Sequence, residues 1–194
     1  LSPHVICIGS STGGPQALLH LFKDIAGKIK QPILITQHMP ATFTKILAQH
    51  LDRIEGVSCT EATDGCEILD GHVYLAPGEY HMVVEAGANG KILRLNQGPQ
   101  ENFCRPSVDP MLRSVAKFYG DRILTIILTG MGHDGLKGCQ DVVEKGGTVI
   151  AQDEGSSVVW GMPGAVATGG VCSAVLPMND IGSAVEKFAR GAGL

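Results

Sequence analysis

The feature that most constrains the fold is an alternation between short apolar runs and longer segments with helical periodicity. The runs at 4–8 and 32–37 are rich in β-branched residues, which is typical of strands buried on both faces. Between them, apolar residues repeat at helical spacing from Leu18 to Ile25, after Pro15 in the first turn. Two strand–helix units in succession predict a parallel sheet with right-handed crossovers.

The alternation continues along the chain. A second helix is predicted over 42–51, with Phe43, Leu47 and Leu51 on one buried stripe. The most hydrophobic stretch, 122–128, is predicted to be a central strand. The remaining predictions are helices at 107–118 (with Ser107 as its cap), at 135–144 and from 179 onward, and strands at 148–151 and 171–175.

The middle of the chain has a different pattern. Four short strand-like runs, at 57–61, 72–76, 80–85 and 91–95, are separated by glycines and prolines, and Asn89-Gly90 is a strong hairpin signal. We therefore expect an antiparallel insertion at one edge of the sheet. The predicted fold class is α/β, a doubly wound and mostly parallel sheet with helices on both faces and an antiparallel hairpin at one edge. Residues 1–194 are predicted to form a single domain.

Composition excludes several classes of function. A net charge of −4 without any block of Lys or Arg argues against nucleic-acid binding. The apolar runs are far shorter than the roughly 20 residues that cross a bilayer, so no membrane insertion is expected. The six cysteines form no CxxC pair and the seven histidines show no metal spacing. We expect buried free thiols in a reducing cytoplasm, and no metal site.

Three polar loops follow predicted strands. Ser11 lies in the glycine loop after the first strand, His38 follows the second, and Asp134 lies in the loop after the strand at 122–128. The carboxyl ends of parallel strands meet at one edge of the sheet, where active sites form. A hydroxyl, an imidazole and a carboxylate are the groups that nucleophilic acyl transfer requires.

Each loop also has a structural interpretation. Residues 9–14 match GxxxxG, but the Lys of a phosphate loop is missing, whereas 9–13 fit the G-x-S-x-G turn that exposes a nucleophilic serine. His38 alone is more often structural than catalytic. The structural alternative for the loop at 130–135 is a tight turn in which Asp134 would cap the next helix. His133 is a rival base, disfavoured because neighbouring side chains in an extended loop point apart. The chain order Ser…His…Asp excludes an ordinary α/β-hydrolase.

Five segments then carry a resemblance to a known family. They are GSSTGGPQAL, ITQHMP, RPSVD, ILTGMGHDG and AQDEGSSVVWGMPGAV. In this order they resemble the catalytic domain of chemotaxis receptor methylesterases, the CheB-type protein-glutamate methylesterase/glutamine deamidases. The resemblance runs over nearly the whole chain and implies an α/β fold with a mostly parallel sheet and an antiparallel hairpin.

By position, the resemblance implies that Ser11 is the nucleophile, His38 the general base and Asp134 the carboxylate that orients the imidazole. Met131 then donates a backbone N–H to the oxyanion, and Thr12 is a second candidate donor. His133 departs from the motif, which has Asn at that position.

The implied function is hydrolysis of glutamate methyl esters, and deamidation of glutamines, on the cytoplasmic helices of chemotaxis receptors through an acyl-enzyme. No cofactor or metal is required. The family often carries a receiver domain that controls activity, and we recognise no receiver sequence among these 194 residues. Arg105 in the RPSVD segment is a candidate substrate contact, and a role at the helix start is an equal alternative.

Two other functions stay open from the residues alone. One is a non-catalytic module that binds an anion or a nucleotide at the glycine loop, with Ser11 as a hydrogen-bond donor. The other is a hydrolase of small esters.

Overall fold

The computed structural model describes residues 1–193. Its elements follow each other along the chain as β1 (Val5–Ser10), α1 (Gly14–Ile25), β2 (Ile33–Gln37), α2 (Ala41–Asp52), β3 (Cys59–Glu61), β4 (Val73–Leu75), β5 (His81–Gly87), β6 (Gly90–Asn96), α3 (Val108–Tyr119), β7 (Ile123–Ile127), α4 (Leu136–Glu144), β8 (Thr148–Gln152), α5 (Met162–Thr168), β9 (Ala174–Leu176) and α6 (Met178–Ala189).

Seven of the strands form one parallel sheet in the order β3-β4-β2-β1-β7-β8-β9. From β1 the chain builds outward through β2 to one edge, then returns to the other side of β1 through β7, β8 and β9. The winding direction therefore reverses between β1 and β7. In open α/β sheets the crevice at such a reversal, beyond the carboxyl ends of the strands, is where ligands bind.

Two hydrophobic cores cover the two faces of this sheet. Alternate residues of β1 point to opposite faces, with Ile6 and Ile8 in one core and Val5 and Cys7 in the other. Helices α1, α2 and α6 cover the first face, while α3, α4, α5 and the β5–β6 hairpin cover the second. Burial on both faces explains why the β1 run is continuously apolar rather than alternating. The predicted doubly wound α/β fold is confirmed.

The antiparallel hairpin is present but smaller than the predicted insertion. Strands β5 and β6 pair from His81–Asn96 to Gly87–Gly90 as a separate two-stranded sheet, with Ala88 and Asn89 in the turn. The first two runs, β3 and β4, are instead parallel strands at the edge of the main sheet. Placing them in the antiparallel insertion was wrong, because short length and flanking glycines mark a strand without fixing its direction.

The strand predicted to be central, β7, lies inside the sheet between β1 and β8, as expected. Helix α5 was not predicted, and two smaller expectations were wrong. Phe43 is more than half exposed, since the buried face of α2 turns toward Thr44, Leu47 and Leu51 instead. Ser107 precedes α3, but its hydroxyl makes no hydrogen bond within the described residues.

Two features expected from the composition concern the cysteines and the apolar segments. All six cysteines are free thiols, but only Cys7, Cys59 and Cys139 are buried as predicted, whereas Cys66, Cys104 and Cys172 are half-buried. Among residues 1–193 no helix combines the length and the apolarity that a bilayer crossing requires, the longest having 12 residues.

The two faces of α2 give a direct test of this packing. Leu47→Ala deletes a buried side chain and leaves a cavity, so it should lower the free energy of unfolding by about 2–5 kcal/mol. Phe43→Ala removes a largely solvated ring and should change it by only about 0.5 kcal/mol. Urea denaturation of both variants measures the difference. Equal losses would show that the helix packs in the orientation predicted from the sequence.

Candidate active site

The three predicted loops meet at the carboxyl edge of the sheet. Ser10 and Gln37 are register partners at the ends of β1 and β2, so Ser11 and His38 begin neighbouring loops. The backbone N–H of His38 donates to the Ser10 carbonyl at 3.1 Å. On the other side, the N–H of Ser11 donates to the carbonyl of Thr129, which follows β7, at 3.0 Å. The sheet register thus brings the loops together.

Ser11 lies in a sharp turn between β1 and α1. Gly13 has a φ of +81°, which favours glycine, and α1 begins at the next residue. The Ser11 hydroxyl is buried and accepts a hydrogen bond from the backbone N–H of Met131 at 2.8 Å. A Cβ at Gly130 would lie only 2.7 Å from the Ser11 hydroxyl, so only glycine lets the second loop approach this closely. The arrangement matches a nucleophile elbow beside a backbone donor.

His38 and Asp134 form the second half of the site. The His38 Nε2 and an Asp134 carboxylate oxygen are 2.6 Å apart, and the two side chains are 14% and 2% exposed. The carboxylate also accepts backbone N–H bonds from Val108 at 2.7 Å and from Asp109 at 3.0 Å, and a side-chain amide bond from Asn102 at 2.9 Å. These contacts fix the carboxylate, and the carboxylate fixes the imidazole ring.

The alternative structural role of Asp134 was a cap on α4, and the structure assigns that role to another residue. Asp134 caps the N-terminus of α3 instead, while the Asp109 carboxylate accepts bonds from Gly135 and Gly138 at the start of α4. The two helices exchange caps through two buried aspartates. This exchange also explains why the Ser107 hydroxyl is not needed as a cap.

The two halves of the site are not joined by a hydrogen bond. Ser11 bonds to Met131, whereas the second nitrogen of His38, Nδ1, faces the Cys104 thiol with Nδ1 and Sγ 3.5 Å apart. Cys104 and Asn102 were not among the site residues predicted from the sequence. Their only signal in the sequence was position, since both lie just before the RPSVD segment. In the structure, the Asn102 amide bridges Asp134 and Asp109.

The other candidate residues lie outside this pair. Thr12 is exposed, and its backbone N–H donates no hydrogen bond to residues 1–193, so it is available to a ligand. His133 is exposed and makes no side-chain hydrogen bond in the described chain. The Arg105 guanidinium donates to the carbonyls of Gln97 and Gly98, which ties the segment after the hairpin to the segment that precedes α3. No three His, Cys, Asp or Glu side chains from 1 to 193 group as metal ligands.

Comparison with known proteins now assigns the family. A sequence profile described as CheB methylesterase matches residues 6–185. The chain belongs to the CheB methylesterase family.

Solved and curated relatives agree with this assignment. The CheB methylesterase catalytic domain of Thermotoga maritima superposes with a TM-score of 0.92 at 40% identity, covering 96% of this chain and 99% of that one. A protein named protein-glutamate methylesterase/protein-glutamine glutaminase 1 from Paramagnetospirillum magneticum is 63% identical over 96% of this chain. Its namesake from Rhodospirillum rubrum is 62% identical over 97%. The chain spans about half the length of these curated relatives, 49% in each case.

In this CheB methylesterase-family chain, the His38–Asp134 pair is strongly polarised. Burial disfavours the charged imidazolium, but the hydrogen bond and charge of Asp134, with a smaller contribution from Cys104, raise the pKa of His38 to about 9. Burial would also raise the pKa of Asp134, but bonds from His38 and the Val108 and Asp109 amides hold it below its usual value. The resting pair at neutral pH is therefore imidazolium and carboxylate.

The same shifts make stability depend on pH. Because the pKa of His38 lies above the roughly 6.5 of an unfolded histidine, its contribution is complete below that pH and is lost as pH rises through 9. The pKa of Asp134 is depressed, so its contribution is present above the unfolded value of about 3.9 and is lost on further acidification. The pair therefore stabilises the fold most between these limits.

Titration of the histidines followed by NMR tests the cause assigned to the raised pKa of His38. The His38 ring signals should titrate with a midpoint near pH 9, while His72, whose pKa is lowered by burial, titrates below about 6.5. Asp134→Asn removes the charge that opposes burial, so the His38 midpoint should fall toward or below 6.5 while that of His72 stays in place. A His38 midpoint that is unchanged in Asp134→Asn would contradict the assigned cause.

Proposed function

We propose that residues 1–194 act as one catalytic domain, a serine hydrolase that removes methyl groups from glutamate methyl esters of chemotaxis receptors. By the same route it converts receptor glutamines to glutamates. The names of the curated relatives support this substrate class. The observation that carries the proposal is a hydroxyl held by a backbone N–H beside an imidazole that a buried carboxylate anchors.

The first step requires the Ser11 hydroxyl to change partner. In the proposed step, rotation about its Cα–Cβ bond releases the Met131 N–H and turns the hydroxyl toward His38, whose loop begins beside the Ser11 turn. His38 takes the proton through Nδ1, the nitrogen that Asp134 does not engage, while Asp134 stabilises the resulting imidazolium. The Ser11 oxygen attacks the ester carbonyl and a tetrahedral oxyanion forms.

The oxyanion then needs donors that are already in place. The Met131 N–H, freed when the hydroxyl turns, is one, and the unengaged N–H of Thr12 is the second. A donor of this kind typically contributes about 2.7–4 kcal/mol to lowering the barrier. The imidazolium protonates the departing methoxide as methanol, and water then hydrolyses the acyl-enzyme to a glutamate carboxylate. With glutamine the leaving group is ammonia. None of these steps needs a metal ion or an organic cofactor.

One contact favours a second candidate nucleophile. Cys104 faces His38 Nδ1, so Cys104, His38 and Asp134 also form a possible relay of thiol, base and carboxylate. Ser11 is the better candidate because a backbone N–H already bonds its oxygen, whereas within residues 1–193 no backbone N–H bonds the Cys104 sulfur. The Cys104 N–H itself is used in a bond to Glu101.

Substitution separates the two nucleophiles. Ser11→Ala should reduce methanol release from a methylated chemotaxis receptor on the order of 10⁶-fold, while its melting temperature stays close to the wild-type value. Cys104→Ala should retain most of that activity. The measurement is release of labelled methanol by the purified chain, with thermal unfolding as the control. The reverse result, activity retained in Ser11→Ala and lost in Cys104→Ala, would transfer the nucleophile to Cys104.

The raised pKa of His38 predicts the pH dependence of this reaction. A general base must be neutral, and at pH 7 most of the His38 rings are protonated. The value of kcat/KM should therefore rise about tenfold per pH unit from pH 6 to 8 and level off above about 9. A rate that is flat across this range would exclude His38 as the titrating base.

The surroundings of the reaction follow from the same proposal. A receptor-directed enzyme of this family acts in the cytoplasm, with receptor helices as its partner and a receiver domain as a candidate regulator.

The alternative, a module that binds an anion or a nucleotide at the glycine loop, predicts a melting temperature raised by nucleotide and a Ser11 that is inert to serine-directed reagents. A small-ester hydrolase predicts comparable turnover of a generic ester and of the receptor.

A further inference from the structure

An unusual turn lies directly beside the candidate site. Glu101 and Cys104 exchange two backbone hydrogen bonds, of 3.1 and 3.0 Å, and enclose a loop of Asn102 and Phe103. Both loop residues have positive φ, 54° and 62°. A two-residue loop with both φ angles positive is a type I′ hairpin turn, whose second position strongly favours glycine.

Asn102 suits its place in this turn. Asparagine tolerates the left-handed region better than most residues, and its side-chain amide donates to both Asp109 and Asp134. Phe103 does not suit its place. A bulky side chain at positive φ is strained, and this ring is 95% exposed, so burial within the described protein does not compensate for the strain. Glycine at this position would be less strained.

The exposed ring belongs to a loop that contacts the candidate site. The side chains on either side reach inward, Asn102 to Asp134 and Cys104 to His38. The Phe103 ring between them extends into solvent. The doubly bonded turn fixes the backbone from which the ring extends, so the ring stays next to the site.

Two other exposed apolar side chains belong to segments that contact the Ser11 turn. Met131, whose backbone N–H bonds the Ser11 hydroxyl, is 65% exposed. Val158 is 66% exposed, and it lies against the Ser11 turn, since a Cβ at Gly13 would be 2.6 Å from its Cγ2. We call Phe103, Met131 and Val158 the apolar rim. Each of its members is attached to a segment that contacts the candidate catalytic residues.

We propose that Phe103 is a specificity-determining residue, which contacts an apolar surface of the polypeptide that carries the ester. The inference rests on the proposed function and deepens it. A small methyl ester can reach Ser11 without contacting a ring that points outward from the site. Only a substrate whose surface extends beyond the ester group reaches Phe103, so the ring favours protein substrates over small esters.

The test compares two substrates in Phe103→Gly, using the full chain. For a methylated chemotaxis receptor, kcat/KM should fall on the order of tenfold, mainly through a higher KM. The ratio of receptor turnover to p-nitrophenyl acetate turnover should fall by the same factor. The melting temperature should stay level or rise, because glycine relieves the strained turn. Phe103→Leu, which keeps an apolar side chain, should restore part of the receptor activity.

A matched control comes from a remote exposed apolar residue. Leu69 lies in the loop before β4 and is more than half exposed. Its backbone N–H donates to the hydroxyl of Tyr74. Leu69→Ala should leave the substrate ratio unchanged. Equal loss on both substrates in Phe103→Gly, or loss of receptor turnover in Leu69→Ala, would overturn the inference. If the wild-type chain releases methanol and Phe103→Gly matches it, only this inference fails. If the wild-type chain releases none, the proposed function fails as well.

Discussion

The buried carboxylate of Asp134 is the contact on which both the fold around the site and the proposed chemistry depend. Removing a carboxylate from water is costly unless hydrogen bonds and an opposite charge compensate for it. Here the compensation comes from two backbone amides at the start of α3, the Asn102 amide and the His38 ring. The same bonds that make burial tolerable hold the carboxylate in the position from which it polarises His38.

The exchange of caps extends this dependence to two helices. Asp134, which precedes α4, caps α3, and Asp109, in the first turn of α3, caps α4. Neither helix can shift without disturbing the carboxylate that holds His38. Helix N-termini also favour negative charge, so the ends of α3 and α4 assist in keeping Asp134 ionised. The same contacts therefore maintain both stability and the geometry of the candidate site. At the strained turn around Phe103, in contrast, conformational preference and the proposed function conflict.

Much of the fold and of the candidate site could be predicted from local pattern. The apolar runs of β1, β2 and β7 are buried on both faces, and burial of that kind leaves a continuous apolar signal in the sequence. The glycine loop around Ser11 carries its signal in residues close together in the chain. The prediction failed for β3 and β4, whose three-residue strands look alike whether parallel or antiparallel. It also failed for Phe43, because helical periodicity over one short helix leaves the buried face uncertain by a residue.

By itself, the sequence determined the fold class, the strand-end loops and the identities of Ser11, His38 and Asp134 as candidates, because each of these depends on residues near one another in the chain. Only the tertiary structure decided what those residues contact. It directed Asp134 to α3 rather than to its own helix, placed Cys104 at the free nitrogen of His38 and left the Phe103 ring in solvent. The physical reason is that hydrogen-bond partners and exposure are set by which distant segments pack together, and local spacing carries no record of that packing.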